Sequence, residues 1–168
     1  VEALNKGQQN FSRILAGVKQ YGVLAEFSLA SLLKDLLPAS QYITNVKIKS
    51  EETNNNVEFA VKLQGEVLVP IDSYFPVEKF SAISDAYQTK DKKALADARS
   101  KLASAFRIKA KRVNEKYIVP PKTVDFAIVY APTESLFSEL TSYQDPSTKE
   151  LLTRELQTKY NIVISGPN

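Results

Sequence analysis

The chain has 168 residues, 43% of them hydrophobic and 24% charged. That is ordinary globular composition, which excludes wholesale disorder and allows one domain, or one domain with a helical extension. Its 22 Lys and Arg against 19 Asp and Glu give a net charge of +3, too mild a bias to point to nucleic acid by itself. With no Cys and no His, the chain has no disulfide, thiolate zinc site, cysteine nucleophile, histidine metal ligand or Ser-His-Asp triad. Any metal must be held by oxygen, which favours magnesium, manganese or calcium. Acid–base chemistry falls to carboxylates, Lys or Tyr. Met is absent even at position 1, so the sequence reads as a processed chain or a fragment. No apolar run approaches the roughly 18 residues that a membrane-spanning helix needs.

Residues 3–21 read as a helix, with Phe11, Ile14, Leu15 and Val18 at helical spacing. Its polar upstream half suits the end of a longer helix, either a coiled-coil or partner-binding segment or one that packs on the domain. A second helix over 23–37 carries Leu24, Phe27, Leu29, Leu32, Leu33, Leu36 and Leu37 and ends at Pro38. Three strands follow. Residues 42–49 alternate, with Tyr42, Thr44, Val46 and Ile48 expected on one face and Ile43 as the exception. Residues 57–63 put Val57, Phe59, Val61 and Leu63 on one face and Glu58, Ala60 and Lys62 on the other. After a turn at Gly65-Glu66, residues 67–72 are almost wholly apolar, the mark of a central strand, and Pro70 suggests a bulge or strand end.

Helices are predicted over 77–88, opened by Pro76, and over 91–117. In the latter, Leu95, Leu102, Phe106, Ala110, Val113 and Tyr117 form one apolar stripe. Pro120-Pro121 stops that helix. A strand over 124–130, a helix over 133–142, a turn at Asp145-Pro146, a helix over 147–159 and a strand over 161–165 complete a mixed α/β pattern. No Gly-rich phosphate loop occurs.

Two features could carry chemistry. Asp72 ends the third strand, where sites gather in open α/β sheets. Glu58 lies on the neighbouring strand, and Glu26 interrupts an apolar helix. If the three converge they repel one another and invite a hard cation. Separately, Asp72 caps a turn or pairs with a lysine, Glu58 is a solvated strand residue and Glu26 lies on a wet helix face. The second feature is basic: from Lys90 to Lys116, ten Lys and Arg face only Asp91, Asp97 and Glu115. Arg99, Lys101, Arg107, Lys109, Lys111, Arg112 and Lys116 could track a phosphate backbone, or simply solvate one face of an amphipathic helix.

Val69-Pro70-Ile71-Asp72-Ser73-Tyr74-Phe75-Pro76 resembles the "PID-(S/A)-K-FP" segment of the RmuC family of bacterial DNA-recombination proteins. In the same order, Leu24-Ala25-Glu26-Phe27 resembles its "WGE" helix and Val57-Glu58-Phe59-Ala60-Val61 its "PDFVI" strand. Arg107 through Lys116-Tyr117-Ile118, Pro120-Pro121 and Asp125-Phe126 resemble its "R…KYI-PP-TxDF" run. Ala131-Pro132-Thr133-Glu134-Ser135-Leu136 resembles "PSEAL", and Ile162 to Pro167 the late "VLLASP" strand. The likeness runs over about residues 22–167, leaving 1–21 as a helical, coiled-coil extension and 22–168 as the domain.

The resemblance implies a restriction-endonuclease-like core of the PD-(D/E)XK kind, a mixed β-sheet flanked by helices. It implies Mg²⁺ or Mn²⁺ held by Glu26, Glu58 and Asp72, DNA as partner, and homo-oligomer formation through the N-terminal helix. It also implies a cytoplasmic, nucleoid-associated protein, with any membrane tether left to segments outside this chain. Position 74 departs from the pattern: Tyr74 stands where the family has Lys. A phenol with a pKa of about 10 is neutral at pH 7 and brings no ammonium charge. Lys62 and Lys111 are the expected substitutes. Three readings follow: a metal-dependent DNA nuclease, a cleavage-dead DNA-binding module on the same fold, and a structural scaffold.

Overall fold

The computed structural model describes residues 21–49 and 56–168. All but the last residue of the expected helix over 3–21, and of the polar turn over 51–56, lie outside the described residues. Five helices and one five-stranded mixed sheet make up the described chain.

Helix α1 (Tyr21–Leu36) is followed by strands β1 (Tyr42–Lys47), β2 (Asn56–Lys62) and β3 (Leu68–Ser73). Helices α2 (Val77–Thr89) and α3 (Lys92–Tyr117) lead to β4 (Ala127–Tyr130). Helices α4 (Glu134–Ser142) and α5 (Leu152–Tyr160) then lead to β5 (Ile162–Ser165). Strand order follows the chain: β1–β2 and β2–β3 pair antiparallel, β3–β4 and β4–β5 parallel. The apolar β3 is central, as its composition predicts, and every one of its residues is buried.

Alternation along the strands assigns the two faces. Phe59, Ile71 and Tyr130 pack against Leu29 and Leu33 of α1. On the opposite face, Ala127, Val129 and Ile162 pack against α2 through Ile83, α3 through Leu102, Phe106 and Val113, and both C-terminal helices. The predicted stripe of α3 lies in this larger core, with Leu95 and Tyr117 half-buried at its ends. Asp91 caps the helix: one carboxylate oxygen accepts the N–H groups of Lys93 and Ala94, both at 3.0 Å. Asp91→Ala is expected to destabilise the domain by about 1 kcal/mol, the usual worth of such a cap, as read by urea denaturation.

Several local expectations are corrected. Asn45 adopts a left-handed backbone, φ 53°, inside β1, a conformation that Asn tolerates better than most residues. This breaks the two-residue alternation: Tyr42 faces the α1 side, while Val46 and Ile48 join Ile43 on the other. Pro70 makes no bulge, for the β2–β3 register runs unbroken through it. Leu68 and Tyr74, of the same parity, donate to Lys122 and Tyr130 on the β4 side. Regular β3–β4 pairing starts only at Ile71, so the N–H that proline lacks faces irregular chain. That same irregular stretch shortens β4 to start at residue 127. Helix α5 begins at Leu152 rather than near 147. Asp145 Oδ1 captures the Ser147 hydroxyl at 2.6 Å and the N–H groups of Ser147 and Thr148 at 2.8 and 3.1 Å. Lys149 turns left-handed behind it, and the segment becomes a turn. Among the described residues, no helix is long and apolar enough to cross a membrane.

Candidate active site

Asp72 sits at the carboxyl end of the central strand and is 5% exposed. Its register partner on β4 is Val129, so it points to the face covered by α3. On β2, Phe59 pairs with Ile71. That is the last register pair before the carboxyl end of β3, and Glu58 and Asp72 are the next residues beyond it. Glu58 Oε2 accepts the Ser73 hydroxyl at 2.7 Å and the Ser73 N–H at 3.2 Å, which fixes the carboxylate against the end of β3.

Helix α3 crosses above. Lys109 Nζ lies 2.7 Å from Asp72 Oδ2, and its side chain is 21% exposed. The same ammonium stands 5.2 Å from the centre of the Tyr74 ring. Tyr74 packs in turn on Phe106, ring centres 5.0 Å apart and tilted 59°. Two turns beyond Lys109, the Tyr117 hydroxyl donates to the Asn56 carbonyl at 3.2 Å. A carboxylate buried alone at Asp72 would be costly, and Lys109 offsets that cost.

Both tyrosines titrate above their ordinary value. Burial raises Tyr117, and the negative charges of Asp72 and Glu58 raise it further. Burial also raises Tyr74, with the nearby Arg112 pulling the other way. A folded-state pKa raised above the unfolded value of about 10 contributes stability that is complete below pH 10 and lost as pH rises through the folded value. Unfolding free energy is therefore expected to fall above about pH 10, and Tyr117→Phe to reduce that fall, in urea titrations run from pH 8 to 11.

Magnesium is commonly held by one or two carboxylates together with waters and substrate phosphates, and Asp72 and Glu58 are the carboxylates at this strand end. Among the described residues no group of three Asp, Glu, His or Cys gathers. The predicted third member, Glu26, lies in α1, and its side chain is outside the described residues. Helix α1 packs through Leu29 and Leu33 on the sheet face opposite Asp72.

The basic stripe of α3 divides. Arg99 pairs with Glu139 at 3.0 Å and contacts the Tyr87 hydroxyl. Arg107 pairs with Glu155 at 2.9 Å and Asp145 at 3.1 Å, and Lys109 with Asp72. Facing outward are Lys101, paired with Asp97 at 2.9 Å, Lys111, 4.0 Å from Glu115, and the exposed Arg112, with Lys116 half-exposed. Neither expected substitute for the strand lysine reaches Asp72. Lys62 pairs with Leu68 at the other end of β3, about 13 Å along the strand from Glu58. Lys111 is two residues from Lys109 and so faces another way. Sequence reasoning named Lys109 only as a DNA contact. The signal for more was its place three residues after Phe106 and four before Val113, at the margin of the buried stripe. There a long side chain runs along apolar surface and delivers its charge at the edge.

The RmuC family model matches residues 1–168. Two curated proteins, each named a DNA recombination protein RmuC homolog, come from strains Temecula1 and 9a5c of Xylella fastidiosa. Both are 33% identical to this chain over 173 residues. Those alignments take in 99% of this chain and 36% of each relative, so the chain spans about a third of their length. No solved structure matches. With a family match along its whole length and relatives of this identity, the chain belongs to the RmuC family.

Proposed function

We propose that this chain is the DNA-acting domain of a recombination protein, a metal-dependent nuclease that hydrolyses phosphodiester bonds. The observation that carries this reading is a lysine ammonium set against the buried Asp72 at the carboxyl end of the central strand, where Ser73 also holds the Glu58 carboxylate. Two further features support it. A five-stranded mixed sheet flanked by helices is the coarse architecture that a restriction-endonuclease-like core requires. The relatives are named as DNA recombination proteins.

Asp72 and Glu58 would hold Mg²⁺ or Mn²⁺. When bound, the ion neutralises the scissile phosphate and makes water more acidic. Ser73 holds Glu58 in orientation through its hydroxyl and N–H. The outward row of α3, Lys101, Lys111, Arg112 and Lys116, follows the phosphate backbone beside the site. The bacterial nucleoid is the location such a domain calls for.

A second reading, a DNA-binding module that no longer cuts, is favoured by one observation. The residue two after Asp72 is a phenol packed on Phe106, not an ammonium. The test is incubation of single-stranded, duplex and branched DNA with Mg²⁺ or Mn²⁺, comparing wild type with Asp72→Asn and following binding by fluorescence anisotropy at several salt concentrations. Cutting that Asp72→Asn removes supports the nuclease. Salt-dependent binding without cutting supports the module. Neither binding nor cutting contradicts both and leaves a scaffold.

A further inference from the structure

We infer that Lys109, reaching in from α3, supplies the active-site ammonium that position 74, just past β3, lacks; this rests on the nuclease reading above. Residues i and i+2 of an extended chain share a face, and both Asp72 and Tyr74 lie against α3, where Lys109 contacts each. The lysine expected at 74 would bring its ammonium between Asp72 and the incoming phosphate. Here the space beside Asp72 is entered from the opposite wall. Lys109 Nζ is 2.7 Å from Asp72 Oδ2 and 5.2 Å from the ring centre of the very residue that replaces the strand lysine.

The replacement residue forms a seat for the incoming cation. Tyr74 lies on Phe106, one turn before Lys109 on the same helix. Its π-face attracts the ammonium without offering a competing charge. Phe106 is fully buried in the main core, so the seat is rigid. Arg107 is committed to Glu155 and Asp145, and Lys111 turns outward. Lys109 is the α3 cation that pairs with Asp72, whereas Arg112, one turn further on and near Tyr74, is exposed.

An ammonium has three N–H donors. One carboxylate contact leaves two, enough for an attacking water and a non-bridging phosphate oxygen. The reaction is a hydrolysis. The water oxygen bonds to phosphorus as the bond from phosphorus to the leaving sugar oxygen breaks. One water proton goes to bulk, the leaving oxygen takes one from bulk, and the products are a phosphomonoester and a hydroxyl. Lys109 holds the water in line and offsets charge on the phosphate.

The experiment compares wild type, Lys109→Ala, Tyr74→Lys and the double variant Lys109→Ala/Tyr74→Lys. It reads single-turnover cleavage of end-labelled DNA in Mn²⁺, DNA affinity in Ca²⁺, and Mn²⁺ binding by electron paramagnetic resonance. Lys109→Ala is expected to lose about 100-fold or more in cleavage rate, as for loss of one electrostatic donor. Its DNA and Mn²⁺ affinities should stay within about threefold, and the double variant should regain at least about a tenth of the wild-type rate. Cleavage by Lys109→Ala within about threefold of wild type overturns the inference. So does a fall in DNA affinity as large as the fall in rate, which makes Lys109 a phosphate-binding contact. An inert wild type beside an active Tyr74→Lys overturns the inference while leaving the metal-site reading intact. Inertness of all four overturns the nuclease reading and the inference together.

Discussion

Arg107→Ala is expected to lower the free energy of unfolding by about 2 kcal/mol, between the worth of an exposed ion pair and the cost of stranding one partner of a buried one. The guanidinium Nε donates to both oxygens of Glu155 at 3.1 and 2.9 Å, and Nη2 to Asp145 at 3.1 Å. Burial alone would lower the Arg107 pKa, but its hydrogen bonds and charge contacts with Glu155 raise it overall. The Glu155 side chain is 12% exposed, and without Arg107 its remaining ion-pair partner among the described residues is the more exposed Lys159 at 3.2 Å. Three elements are tied at this point: α3, α5 and the Asp145 turn. Arg107→Lys should recover little, because an ammonium cannot reproduce the fork. Replacing Arg107 and Glu155 together with Met and Leu should cost much less than either single change to alanine. Urea denaturation at constant m-value checks all three. DNA affinity measured on the folded variant should keep the wild-type salt dependence, because this guanidinium is spent on the fold.

Asp72→Asn is expected to lower metal-dependent cleavage by at least about 100-fold while the domain remains folded. The amide keeps the shape of the carboxylate and still offers Lys109 an oxygen acceptor, but it removes the charge that a divalent cation needs beside Glu58. Lys109 is partly exposed, so its ammonium finds water rather than being stranded. Binding of uncut DNA should hold or strengthen, because one negative charge is removed from beside the phosphates. Cleavage rate in Mg²⁺ and Mn²⁺, measured with DNA affinity in Ca²⁺, separates the two effects.

The parts of the fold that strong periodicity governs were legible in the sequence. The stripe from Leu95 to Tyr117 gave α3 its length and buried face, and the apolar run at 67–72 put β3 at the centre of the sheet. What periodicity missed were single polar side chains that compete with the backbone. Asn45 flips β1 by adopting a left-handed conformation. Asp145 captures the amides that would have opened α5 five residues earlier.

The strand end of the site was legible. Asp72 closes the apolar β3, and Glu58 of β2 is held at the same end by Ser73. The helix half was not, because an ion pair between residues 72 and 109 depends on how α3 crosses the sheet, which no local pattern encodes. The division of the α3 cations was hidden for the same reason. Arg99 and Arg107 look like Lys101 and Lys111 in composition, yet their carboxylate partners arrive from α4 and α5.

The central claim is that Glu58 and Asp72 together make a divalent-cation site. Titration of Mn²⁺ by electron paramagnetic resonance into wild type, Glu58→Gln and Asp72→Asn tests it most directly. One bound ion in wild type, weakened about tenfold or more in each variant, is the result predicted, since a lost ligand should cost at least as much as a lost outer contact. Equal Mn²⁺ binding by all three proteins, or no binding by wild type at millimolar ion, would contradict it.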